Sequence, residues 1–239
     1  MKLIKFIPWS KAIKETTPHP RRTALPEWWR KGESGFQSSL HGGTGHDKPH
    51  EGMKMCVPFM EIMMTGYELL IPFDIYVTKT ESGETSIRYH GPDIKEKDQV
   101  PFVGQRPPQL GATIPRPDGH SLTGFTWFSY WSWKTPRGYS TFVTHPFNRH
   151  DLPFTTLNGI IDSDKFNLNG NIPFFLKKDF EGIIPMGTPF AQIYPFKRTK
   201  WKMWIDDTLN DDLIRKQGQP LREPNGSYKK RMWTKKEFE

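Results

Sequence analysis

Proline and glycine interrupt this chain so often that long regular elements are ruled out: 22 prolines and 20 glycines are spread over 239 residues. Proline removes a backbone donor and fixes φ, and glycine weakens the interiors of helices and strands, so the segments between them must be short. Those segments are rich in aromatic residues, 14% of the chain, which pack well on a pleated surface. The pattern predicts a mostly β protein cut by frequent turns and excludes a helical bundle.

The length suits one large β domain with extensions at both ends. Residues 1–55 read as an extended N-terminal arm with a Gly/His-rich loop, 56–205 as the β domain, and 206–239 as a short C-terminal helix with a basic tail. After a strand-like Lys2–Ile7, Pro8, Pro18, Pro20 and Pro26 keep the arm irregular. Trp28 and Trp29 pin it to the body by burying apolar area, with ligand stacking the alternative. Met60–Met64 predicts a short helix, and Glu68–Ile71, Phe73–Lys79 and Thr85–Tyr89 a strand meander. In the run 127–133, Trp127, Ser129, Trp131 and Trp133 share one face of a strand that is either buried on both faces or set at a subunit interface. Further strands end at Ile161, cover Ile172–Leu176 and cover Pro189–Tyr194, and Leu209, Leu213 and Ile214 predict a helix over 206–217.

A net charge of +8 favours a polyanionic partner, and the tail from Tyr228 to Lys236 is a candidate surface for nucleic acid. No apolar run is long enough to cross a membrane as a helix, residues 1–6 lack the features of a signal peptide, and the single Cys56 cannot form an internal disulfide. These features predict an intracellular protein, not secreted and without a membrane partner. His41, His46 and His50 are the candidate metal ligands, but their spacing is loose and no second ligand pair follows, so no metal and no cofactor is assigned.

Four segments, in order, carry a family resemblance. Asn158-Gly159-Ile160-Ile161-Asp162-Ser163-Asp164 resembles the Gly-hydrophobic-Ile-Asp-x-Asp turn of trimeric dUTPases and dCTP deaminases, and 180–193 (Phe-Glu-Gly-Ile-Ile-Pro-Met-Gly-Thr-Pro-Phe-Ala-Gln-Ile) resembles that family's last core strands. Pro136-Arg137-Gly138-Tyr139 is similar to the approach to its phosphate-binding turn, and Thr65-Gly66-Tyr67-Glu68-Leu69 to its first motif. The resemblance covers about a third of the chain. It implies a dUTPase-like β-clip, a distorted β-barrel, with its core at about 136–195, and a homo-oligomer in which the trimer is favoured. It also implies that the turn at Asp162 and Asp164 cradles a pyrimidine and its sugar. Beyond the fold, Pro26-Glu27-Trp28-Trp29, Cys56-x-Pro58-Phe59 and Thr144-His145-Pro146-x-Asn148-Arg149 are similar to uncharacterised proteins of large tailed bacteriophages and some bacteria, which implies a host-cytoplasmic or virion location.

The departures bear on the chemistry. A dUTPase needs an Arg-Ser-Gly turn whose hydroxyl and amides hold phosphate. Here that place reads His145-Pro146-Phe147-Asn148-Arg149, and Lys165 stands where the sugar-packing aromatic belongs, with Phe166 next. The expected function is therefore a non-hydrolysing protein that binds a nucleotide or another anion between His145, Asn148, Arg149 and Asp162, with Asp164 in the same turn. Two alternatives stand beside it. One is a structural or assembly protein of a phage particle, locked together by Trp28, Trp29, Trp127, Trp131 and Trp133. The other is an enzyme of altered specificity with His145 or His150 as general base and Asp162 orienting water. In the first reading Asn148 and Arg149 reach the ligand; the same residues also suit the cap of a loop.

Overall fold

A computed structural model describes residues 2–32, 53–91, 101–105, 115–166, 170–206 and 227–239, with the backbone of 35–36 and 50–51. The first strands are β1 (Lys5–Pro8), β2 (Arg21–Arg22), β3 (Gly35–Phe36), β4 (His50–Glu51), β5 (Tyr67–Leu70), β6 (Ile75–Lys79), β7 (Thr85–Tyr89) and β8 (Val103–Gln105). They are followed by β9 (His120–Phe128), β10 (Trp131–Lys134), β11 (Tyr139–Thr144), β12 (Phe154–Thr156), β13 (Gly159–Ile161), β14 (Asn171–Lys177), β15 (Gly182–Ile184) and β16 (Pro189–Lys197). The helices are short: α1 (Lys11–Thr16), α2 (Glu27–Lys31), α3 (Val57–Met63) and α4 (Ser227–Arg231). The protein is mostly β, as the punctuation of the sequence demands.

Two compact units are interleaved along the chain: residues 1–23 with 66–198, and 24–65 with 199–239. This differs from the boundaries expected at 55/56 and 205/206, because the first residues pair into the sheets of the body: β1 with β10, and β2 with the edge of β5. The helix expected over 206–217 lies outside the described residues.

The first unit holds three antiparallel sheets with strand orders β13-β11-β16-β5-β2, β12-β14-β9-β8 and β15-β6-β7, beside the β1–β10 pair. Each order is open at both ends, so the described strands form no closed barrel. The core is aromatic. Trp127 on β9 stacks face to face on Phe174 of the neighbouring β14 at 3.6 Å, and Phe154, Phe102 and Phe190 close around its edges. Gly66, with φ +79°, lets β5 pass so close to β16 that a Cβ there would collide with the carbonyl of Ile193.

The run 127–133 is two strands, not one. Ser129 and Tyr130 turn the chain, and the Ser129 hydroxyl holds the bend by donating to the Trp131 carbonyl at 2.7 Å and accepting from the Trp131 amide at 3.2 Å. Trp127, Trp131 and Trp133 are all buried within the chain. Of the two settings open to that run, burial inside the fold is the one these residues adopt, and as placed they have no face to offer a second subunit.

In the second unit Pro26 opens α2, Trp29 is buried and stacks on Phe59 of α3 with ring centroids 5.6 Å apart, and Trp28 stays partly exposed against the edge of Trp29. One indole of the pair is the anchor. Trp233 donates its ring N–H to Glu61 at 2.9 Å, and Lys236 joins the same carboxylate at 2.9 Å.

Truncating Trp127 to Ala removes the ring around which the other aromatics pack and is expected to cost about 3–5 kcal/mol. Leu122→Ala, at an exposed position, should stay within about 0.5 kcal/mol of wild type. Urea unfolding followed by tryptophan fluorescence compares the two.

Candidate functional site

β11 lies between β13 and β16, and the candidate residues gather at its two ends. At its start, Pro136 to Tyr139 form a turn closed by the Tyr139 amide on the Pro136 carbonyl at 3.1 Å, with Gly138 at φ +86°. This turn aims the Gly138 amide at Asp164 Oδ2, 2.8 Å away. Across the ladder, the turn after β13 is closed by the amides of Lys165 and Phe166 on the Asp162 carbonyl at 2.9 and 2.8 Å. Ser163 points inward from that turn, and its hydroxyl is buried against those of Thr135 and Thr141. Asp162 and Asp164 on either side are thereby fixed in direction.

Arg198, just past β16, ties the two carboxylates together. Its Nη1 donates to Asp164 Oδ1 at 2.8 Å, to Asp162 Oδ1 at 3.2 Å, to the Ser140 hydroxyl at 2.9 Å and to the Tyr139 carbonyl at 3.1 Å, while its Nη2 bonds Asp164 Oδ2. Ser140 in turn donates to Asp162 Oδ1 at 2.6 Å. The Arg198 guanidinium, and after it the Gly138 amide, hold the Asp164 carboxyl far below the usual carboxylate range. Asp162 is lowered first by the Ser140 hydroxyl and then by the charge of Arg198. Asp164 is buried beneath the guanidinium, whereas the Asp162 side chain is 53% exposed. Ile160 and Phe166, both exposed, flank that carboxylate along the chain.

At the far end of β11 the segment 145–151 is closed on itself. His145 Nδ1 accepts from the Thr156 amide at 3.3 Å and Nε2 meets the Arg149 carbonyl at 3.0 Å, which requires the neutral Nε2–H tautomer. Burial holds this imidazole below its ordinary pKa. Pro146 to Arg149 form a turn in which Asn148 takes the left-handed conformation, φ +59°, that asparagine tolerates. The Phe147 amide is taken by Gln192 Oε1 at 3.0 Å, and Arg149 lays its fork on Asp151 with two bonds of 2.9 Å.

The two ends are therefore two sites. Five residue steps of strand separate Ser140 from His145, roughly 17 Å at ~3.3 Å per residue. Within one chain, His145, Asn148 and Arg149 do not converge with Asp162 and Asp164. Asn148 and Arg149 serve the loop, the setting the sequence left open beside ligand contact. The alternative role of His145 as a general base loses its support as well, because both ring nitrogens are engaged.

Sequence reading missed Arg198, Ser140 and Asp151, and marked Gly138 only as part of the 136–139 resemblance. Arg198 had a faint signal, because the residue after a strand paired with β11 must fall beside the 136–140 turn; nothing in the local sequence marks it as the bridge. In the basic tail, Trp233 and Lys236 are bound to Glu61, which leaves α4, with Lys229 and Lys230 exposed, as the part of the tail open to phosphate. His41 and His46 lie outside the described residues, as does the side chain of His50. Among the described residues no cluster of His, Cys, Asp and Glu is arranged to hold a metal ion, and no helix is long and apolar enough to cross a membrane. An open crevice of about 500 Å³ is lined by Lys79, Arg116 and Lys178 together with Glu84 and Asp179. No protein-family model matches this chain, and no curated protein matches it either.

The carboxylates bound by Arg198 sit below their ordinary value of 3.8, so their stabilisation is full above that pH and is lost as pH falls beneath it. Arg198→Ala should lower the melting temperature at pH 7, and the gap to wild type should begin to narrow only below pH 3.8, closing as pH falls on toward the depressed native value of Asp164. Calorimetry across that range checks it; a gap that does not depend on pH counts against the ion-pair account.

Proposed function

We propose that this chain is a dUTPase-like protein of the β-clip kind that holds a nucleotide or another anionic ligand without hydrolysing it, and that it works as a homo-oligomer, with the trimer as the count its resemblance implies. The mostly antiparallel β content and the placement of the resembling segments on β5, on β13 and its turn, and on β15 and β16 are what support the fold part of the reading. The observation that carries the ligand part is the Asp162 carboxylate. It is held rigidly by Ser140 and Arg198, half of it faces solvent, and exposed apolar side chains stand on both sides of it in sequence. A fixed acceptor beside apolar surface suits the polar edge of a base or sugar, whose faces need apolar contact and whose donors need a partner.

The segment 145–149 supports the absence of hydrolysis. Its charged and hydrogen-bonding groups are spent within the loop, Pro146 has no amide to give and both ring nitrogens of His145 are engaged, so a phosphate would find no anion grip there; His150, the other candidate base, is exposed beside it. The alternative of a structural or assembly role in a phage particle draws on a different feature, the exposed aromatic segment after Arg198.

Isothermal titration with a panel of pyrimidine and purine nucleosides and nucleotides tests the reading. At least one pyrimidine ligand should bind, Asp162→Ala should weaken it about tenfold, the loss of one charge-assisted hydrogen bond, and dUTP should not be turned over. No heat with any ligand, or measurable dUTP hydrolysis, removes the proposal.

A further inference from the structure

Residues 1–23, which enter the first unit through β1 and β2, carry six lysines and arginines against the single Glu15. Part of this charge gathers with that of two other segments around the turn between β10 and β11. Lys5 stands directly opposite Lys134 on the β1–β10 ladder, both exposed, so two like charges occupy facing positions on one side of the ribbon. Past Lys134, Thr135 donates its hydroxyl to the Tyr139 carbonyl at 3.1 Å, and Arg137 stands exposed in the turn between them. Tyr139 faces the exposed Lys197 across the β11–β16 ladder, and the Lys2 ammonium sits over the Tyr139 ring, 5.4 Å from its centroid. Five cations from three parts of the chain therefore border one turn.

Among the described residues none of these five forms an ion pair. The Asp162 and Asp164 carboxylates, which reach the same turn at Ser140 and Gly138, are held by Arg198. Like charges directly opposed across a ladder weaken it, and a bound anion removes that cost. An indole lies on the same side of β1. Burial alternates along the strand with Lys5 and Ile7 outward, and Trp9, whose amide continues the ladder on the Tyr130 carbonyl at 2.9 Å, is 48% exposed. It stands four residues beyond Lys5, roughly 13 Å at ~3.3 Å per residue, so the surface is long enough for a strand of phosphates and not only for one anion. Cations beside an exposed ring are the combination that takes single-stranded nucleic acid, with phosphates on the charges and a base on the ring. A lipid surface asks for an apolar face set apart from a basic one, whereas here Lys5 shares its side of the strand with Ile7 and Trp9.

We propose that this face binds a single-stranded nucleic acid, with phosphates on Lys2, Lys5, Lys134, Arg137 and Lys197 and a base stacked on Trp9. Its residues are not those proposed to hold the Asp162 ligand, so either can fail without the other. Nor is it the basic tail that the sequence marks, because Lys5, Lys134 and Lys197 are far apart along the chain and are brought to one turn only by strand pairing.

Fluorescence anisotropy of the full chain with a labelled oligothymidylate, titrated at several salt concentrations, tests it. Wild type should bind, with log K falling against log salt at a slope of about −3.5 for five phosphate contacts on a single strand. Lys5→Gln/Lys134→Gln should weaken binding about tenfold and make that slope shallower by about 1.4. The same variant should melt no lower than wild type, because the opposed charges are gone. Trp9→Ala should weaken binding at an unchanged slope, since stacking releases no counterions. Absence of binding by wild type overturns the proposal, as does a loss of affinity confined to Lys229→Gln/Lys230→Gln, which assigns the strand to the tail. Binding indifferent to both variants of the face overturns it too, and so does flotation with anionic vesicles by a chain that ignores the oligonucleotide. A response to the lysine pair but not to Trp9→Ala overturns the stacking and leaves the phosphate contacts standing.

Discussion

The stack of Trp127 on Phe174 is the contact on which the first unit is built. It lies between neighbouring strands of the four-stranded sheet, and Phe190 of the five-stranded sheet meets the same indole, so one ring serves both sheets. An aromatic pair in this geometry contributes beyond the area it buries, and the residues around it must accommodate its shape. The bend at Ser129 and Tyr130 follows from that demand. It ends β9 just past the core and starts β10 toward β1, so that Trp131 and Trp133 are buried in their turn.

The Asp162 turn depends on this framework through small hydroxyl groups rather than through apolar packing. Ser163, Thr135 and Thr141 satisfy one another where no water reaches, and that buried triad sets which way the neighbouring carboxylates face. Arg198 then offsets the repulsion between two acidic side chains two residues apart. The turn is pre-organised before any ligand arrives, which reduces the entropy lost on binding.

Much of the fold was legible in the sequence because proline and glycine mark the ends of strands and alternation marks their faces. β7 was found at its observed limits, and α3, β6 and β16 within a few residues. The Trp127–Trp133 run misled because period-two alternation continues through a bend that only a side-chain hydrogen bond reveals. The site was half legible. Asp162 and Asp164 are visible as a motif, and His145 to Arg149 as a cluster of polar residues. Their separation was not visible, because residues close in sequence stand apart when an extended strand lies between them. Arg198 was only faintly marked for the converse reason: it reaches the turn through strand register, a property of pairing rather than of local composition.

The N-terminal strands carry a consequence for how the chain is made. Ile7 is bonded to Ser132, a residue 125 positions later, so β1 leaves the ribosome long before its partner exists. At a synthesis rate of ~5–20 residues per second, the wait is on the order of ten seconds. β2 can settle once β5 has been made, yet β5 itself waits for β16 near the end of the first unit. Assembly is therefore governed by the last strands to emerge, and biogenesis must shelter the early aromatic segments until then.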